Sequence, residues 1–536
     1  MKRGILYMIL MVVAVMCATT TWAQKKPRVV VNIVLTTMNG DDLERYADNF
    51  SQGGFRRLTT EGVTFANATY GYMQTLTPVS LATLSTGATP STHGVVGEAW
   101  WDHITNKRTT LVDDSSAHSL RFSTGTGNYS AKNLLAESFG DAVVKSSEES
   151  RVATIAIEPM SAIVMNGKRG VAYWMETLKT HWTTSSCYVD ELPEWVATYN
   201  QEEWNKVYQL ERWNTLLPYD RYHNSQVSKI EGLHSKEGKR IDFVGTDDMP
   251  TVTSLHQKMY YTPAGNSAIF AFAKQTFGKL QMGRDEAVDV LNIVLDTPEK
   301  IATVYGAESV EYEDMLYRLD RDIEDFIAFT TAQLSSPEEM VIVLTAAHGT
   351  SPSYNATKEP QSRFNVMQAE VIVNAYLGSQ YGNAEWVLGY ENRNIYLNHN
   401  LIKEKKLSIP ALQHEVATFC MQLKGVSHAL AADALRNSYF GSGYAQKIQN
   451  GYYPKRSGDV VINLMPGYIE EQQTTRSASG SMYRYDVHVP LVVYGGGVQP
   501  RMVEEKVDMT SVVPTIAKMV GIAAPTASEG EILNVK

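Results

Sequence analysis

Cysteine is scarce in this chain. Three occur in 536 residues, and Cys17 falls near the start. The other two, Cys187 and Cys420, make no disulfide framework, although one bridge between them stays open in an oxidising compartment. An excess of positive charge is also lacking. The formal net charge is -10 and no long basic run occurs, which excludes the electrostatic footprint of a nucleic-acid binder. Beyond the N-terminus there is no run of 18 apolar residues, so the remainder offers no membrane-spanning helix. Internal repeats and low-complexity tracts are absent too, which excludes a repeat architecture.

What is present fits a large folded body. At 43% hydrophobic and 20% charged, the chain can bury a sizeable core, as one main domain with an insertion. The first residues read as an export signal. Lys2 and Arg3 supply charge, residues 5–18 are apolar, and Thr21-Trp22-Ala23 is a small-x-small cleavage site. Bulky Met16 before Cys17 fits lipid attachment poorly. The expectation is a signal peptide over 1–23, secretion across the inner membrane, and a periplasmic or cell-surface domain over 24–536.

The strongest local signal is Val341-Ile342-Val343-Leu344-Thr345-Ala346-Ala347-His348-Gly349. An apolar, mostly β-branched run predicts a strand buried on both faces, and it leaves His348 at the carboxyl end. Open α/β sheets place their ligands at that end. Residues 29–35, 152–157, 291–295, 460–464 and 489–494 read as further strands. Residues 41–49 and 55–61 read as short helices. Over 312–334 a stripe of Leu316, Leu319, Ile323, Phe326 and Ile327 predicts a long helix packed on the core. The alternation predicts an α/β fold: a doubly wound, mostly parallel sheet with helices on both faces. Five of the nine tryptophans lie between 170 and 260, which predicts an inserted aromatic-rich cap.

Thr77-Pro78 opens a predicted helix that ends near Gly87. A hydroxyl there is either an N-cap or a group placed in the positive potential of a helix terminus, where it can meet an anion.

Several segments, in order, resemble the alkaline phosphatase superfamily, in particular the phosphate-irrepressible bacterial monoesterases and the type I phosphodiesterases. They are residues 32–38, Thr77 with Ser85-Thr86-Gly87, 93–97, Glu191 to Val196, Trp213 to Leu216, Ser309 to Asp314, 344–349 and Tyr485 to Pro490. The resemblance implies a threonine nucleophile served by two zinc ions, which bind the phosphoryl oxygens and stabilise the leaving group. It places the nucleophile at Thr77. It places the zinc ligands at Thr36, Ala347, His348, Glu299, Thr303 and Ser479. Of that set His348 is unchanged and Glu299 is a substitute carboxylate. Thr36, Thr303, Ala347 and Ser479 stand where ligands are lost. Phosphate-contacting positions fall on Glu98, Glu158 and Met160, where an amide and two cations are expected.

Even outer-shell changes at metal sites cost about 10- to 100-fold in affinity or activity. The expectation is therefore a secreted pseudoenzyme with zinc absent or reduced and a binding or scaffolding role. The partner is unknown. The alternative is a phosphomonoester or phosphodiester hydrolase that uses Thr77 with one metal, held by Glu299, His348 and Asp296, or with a set drawing on Asp41, Asp42 or Glu98. A third reading places a hard cation such as calcium among the carboxylates.

Overall fold

The computed structural model describes residues 26–536 except 121–126, 177–179, 203, 205–207, 209–212, 225–258, 354–361 and 471–474. The expected signal peptide lies outside the described residues. Among these residues no helix is long and apolar enough to cross a membrane.

A nine-stranded sheet organises the main body. Its spatial order is Arg501–Asp508, Val63–Thr69, Leu491–Gly495, Met340–His348, Val29–Thr37, Asp289–Leu295, Val152–Ile155, Val171–Met175 and Trp182–Thr183. The five strands from Met340–His348 to Val171–Met175 run parallel. Leu491–Gly495 is antiparallel to both its neighbours. Three of the parallel strands, Val29–Thr37, Asp289–Leu295 and Met340–His348, are buried along their whole length, which explains their unbroken apolar runs. A polar rung crosses this core. Asn32 Nδ2 donates to Asn292 Oδ1 at 2.7 Å, and Asn292 Nδ2 donates to Thr154 Oγ1 at 2.8 Å. A one-residue slip would leave these buried amides unpaired, so the rung pins the register.

The long helix forms over Val310–Gln333, with Ser309 accepting from Tyr312 N as its cap, and it buries the predicted stripe. Residues 41–49 form less helix than expected, a four-residue turn Asp42–Arg45 and a 3-10 turn Ala47–Asn49.

The described aromatics of this stretch pack against the main body. Trp182 is fully buried and stacks on Phe272 at 4.3 Å, and Trp195 stacks on the same ring at 5.4 Å. Such pairs add about 0.5–1.5 kcal/mol beyond the area they bury. Trp213 donates to Asp314 at 2.7 Å. Residues 225–258 of the expected cap lie outside the described residues.

A second lobe was not anticipated. Val387–Glu391, Asn394–Leu397, Val460–Leu464 and Val426–Ala431 form a separate antiparallel four-stranded sheet. Trp386, Val373, Ile402, Leu412 and Val416 give it a core of its own. The run at 460–464 is a strand as expected but belongs to this sheet, because buried apolar runs look alike in either setting. Cys420 is buried in this lobe, whereas Cys187 is exposed elsewhere, and both are free.

Candidate active-site pocket

Three strand ends and two helix starts meet at one place. Thr37 pairs with His348 across Val29–Thr37 and Met340–His348, so Thr36 and Ala347 end side by side. Beyond Asp289–Leu295 the chain turns through Asp296 into helix Thr297–Tyr305, which carries Glu299 and Thr303 one turn apart. Gly349 lets the chain turn after His348. A Cβ there would lie 2.1 Å from the Tyr485 carbonyl oxygen, so no larger residue fits.

Helix Thr77–Thr86 begins with Thr77 already inside it. Leu76 is the cap residue, and no side chain caps this end. The capping reading of Thr77 is thereby corrected, because its hydroxyl is used elsewhere. Thr77 Oγ1 donates to Glu299 Oε2 at 2.8 Å and lies 3.0 Å from His348 Nε2. His348 Nδ1 lies 2.7 Å from the Gly349 carbonyl, which can only accept, so Nδ1 carries the proton. Burial draws His348 below its usual value, against the pull of Glu299 and the Gly349 carbonyl. In its neutral form Nε2 is therefore a lone pair aimed at Thr77. Two acceptors converge on one hydroxyl proton. Burial raises the Glu299 carboxyl, but His348, Lys300 and Thr77 together outweigh it and hold it below its usual value.

The remaining positions are spread around this triad. Ser479 Oγ lies 3.5 Å from His348 Nε2. Thr36 accepts from the Glu299 amide at 3.2 Å and donates to the Leu295 carbonyl at 2.9 Å. Its hydroxyl is thus spent on bracing the helix start. Ala347 is buried and has no donor to offer, and Thr303 is partly buried on the Glu299 face. Glu98 sits at the exposed rim, with its carboxyl raised by local desolvation and then by Glu299. Met160 lies in the first turn of helix Pro159–Asn166.

Lys300 escaped the sequence reading, which saw carboxylates without a counter-charge. Its ammonium is 3.9 Å from Glu158 and 5.8 Å from the Tyr260 ring centre. Burial would lower it, but Glu299, Glu158, Asp296 and Glu98 together raise it. The available signal was position: Lys300 follows Glu299 in the same first helical turn.

Three of the alternative ligands are engaged by other groups. Asp296 accepts from Ile157 N at 2.7 Å, Glu158 N at 2.9 Å and Ser161 Oγ at 2.6 Å, so it serves the start of helix Pro159–Asn166. Asp42 is held by Asn39 N at 3.1 Å and Tyr312 at 3.3 Å. Asp41 faces Arg484 at 3.1 Å.

The sequence profile of the family described as type I phosphodiesterase / nucleotide pyrophosphatase matches residues 30–481. The chain belongs to that family. Within the wider alkaline phosphatase superfamily it is similar to alkaline phosphatase PafA of Elizabethkingia meningoseptica, 27% identical over 531 residues, 98% of this chain and 97% of that protein. It is also 28% identical over 519 residues to a protein of Myroides odoratus named calcium-transporting ATPase, covering 94% of each chain. The crystal structure of wild-type PafA matches with a TM-score of 0.86 at 26% identity, over 95% of this chain and 99% of that one. The Thr77–Glu299–His348 contact of this chain thus lies within a fold shared with PafA.

Proposed function

We propose that this chain is an exported member of the family that has given up zinc-dependent phosphoryl transfer and keeps its pocket for binding or scaffolding. The observation that carries the reading is the fate of the hydroxyl at residue 36. It braces the amide of Glu299, and the Glu299 carboxylate in turn hydrogen-bonds Thr77 directly. A pair of zinc ions needs several anionic or imidazole donors. Here Thr36, Thr303, Ala347 and Ser479 offer neutral hydroxyls or nothing, so the donor set does not fit two zinc ions. Glu98, Glu158 and Glu299 further oppose a phosphate dianion, and Lys300 offsets only part of their charge. The N-terminal signal supports a location across the inner membrane, in the periplasm or at the cell surface.

One observation favours a second reading. Thr77 has a base on each side, and His348 is oriented by the Gly349 carbonyl, as an activated hydroxyl nucleophile requires. Hydrolysis of an aryl phosphate decides between them, assayed with and without added zinc. Turnover equal to that of Thr77→Ala is expected. Turnover that Thr77→Ala abolishes would overturn the proposal in favour of a Thr77-dependent hydrolase.

A further inference from the structure

Away from that pocket, two imidazoles and a buried carboxylate meet at the junction of the two lobes. His103 lies in the turn after strand Ala99–Asp102 of the main body. His399 opens helix His399–Glu404 of the second lobe, and Asp459 immediately precedes strand Val460–Leu464. One ligand atom from each lies within 4.8 Å of the others.

The hydrogen bonds around His103 leave a specific gap. Its Nε2 is 3.1 Å from the Ser457 carbonyl, an acceptor, so Nε2 holds the proton and Nδ1 is left as a lone pair. That Nδ1 is buried and has no hydrogen-bond partner. It faces Asp459 Oδ2 at 3.7 Å. A lone pair turned toward a carboxylate oxygen is repulsive, and an imidazolium hydrogen bond would draw the atoms about 1 Å closer. A cation between them resolves the conflict. Two ligand atoms on a tetrahedral ion at metal–ligand distances near 2.1 Å stand about 3.4 Å apart, close to the observed gap.

The surroundings are those of metal-bound side chains. His103 is oriented through its outer nitrogen by a backbone carbonyl. The Asp459 carboxylate is steadied by Gln413 Nε2 at 2.6 Å and Leu397 N at 2.8 Å. The two imidazoles stack at 4.5 Å with 15° between planes, which disfavours charging both and favours neutral ligands. His399 Nε2 meets Asp459 Oδ1 at 2.7 Å, and its proton shifts to the other ring nitrogen when Nε2 binds an ion.

We propose that His103, His399 and Asp459 form a binding site for a divalent transition-metal ion of the zinc type, with a fourth position open to water, and that the ion staples the main body to the second lobe. Nitrogen and carboxylate donors in this number suit such an ion better than calcium, which takes oxygen ligands.

The test is a titration of the chelator-treated, signal-free chain with zinc, and with cobalt as a spectroscopic substitute. One equivalent is expected to bind and to raise the thermal midpoint. His103→Phe, which keeps the stack but removes the nitrogens, and His399→Ala should each weaken that binding at least 10-fold. The Glu299→Gln/His348→Ala double variant should leave it unchanged. No saturable equivalent in the unaltered chain would overturn the proposal. So would binding that survives both histidine changes, or binding that the double variant removes.

Discussion

The pocket around Thr77 and the cluster around Asp459 are opposite answers to one electrostatic question. In the first, the Thr77 hydroxyl gives its one proton to Glu299 at 2.8 Å, and the His348 lone pair still has two hydroxyls within reach, Thr77 at 3.0 Å and Ser479 at 3.5 Å. Lys300 then offsets part of the surrounding negative charge. In the second, a buried lone pair faces a carboxylate oxygen across 3.7 Å with nothing to share. Ligand-type side chains alone therefore do not mark a metal site. What separates the two regions is whether the buried imidazole lone pair has a hydroxyl within reach, as His348 has and His103 has not.

The contrast can be broken most directly by rebuilding the first region. Thr36→Asp, Ala347→Asp and Ser479→His together should raise the zinc affinity of the Thr77 pocket at least 100-fold, read by competition against a chelating dye in a His103→Phe background. A smaller gain would mean that the pocket geometry, and not its donor chemistry, excludes the ion. Removing the counter-charge should come next in size. Lys300→Met leaves the carboxylates facing one another, and a loss of about 2 kcal/mol in denaturant unfolding is expected, between the values for exposed and buried ion pairs.

A pH experiment separates satisfied from unsatisfied acids elsewhere in the same lobe. Burial pushes the Asp42 carboxyl up to about 7 from 3.8. The folded state then holds a proton that the unfolded chain releases, so this contribution is complete below pH 4 and is lost as the pH rises through 7. Asp42→Asn should be more stable than the parent chain at pH 8 by about 1–2 kcal/mol and should converge with it toward pH 4, by thermal or urea unfolding. The smallest effect is expected from Thr36→Val. It removes one acceptor at a helix start and should cost about 1 kcal/mol, with no change in the zinc affinity of the His103 cluster.

Much of the central sheet was readable because its strands are buried on both faces and spell continuous β-branched runs. The order of the family segments put Thr77, Glu299 and His348 at nucleophile and ligand positions but left open whether their side chains meet. Three features were not readable. Thr77-Pro78 has the composition of a capped helix start, yet the hydroxyl finds stronger partners across the pocket. Residues 460–464 read as buried strand in either sheet, since periodicity does not name a neighbour. His103, His399 and Asp459 have no recognisable spacing, because the contact exists only once two lobes have docked.

That docking has a consequence for the rim. Glu98 stands next to strand Ala99–Asp102, and Asn392 of the second lobe donates to the Ala99 carbonyl at 2.9 Å. At the far end of the same strand, His103 Nε2 donates to the Ser457 carbonyl at 3.1 Å. The strand is thus tethered to its neighbour at both ends like a hinged shutter. The place of Glu98 at the pocket rim is therefore fixed in part by contacts with a lobe outside the body that contains Thr77.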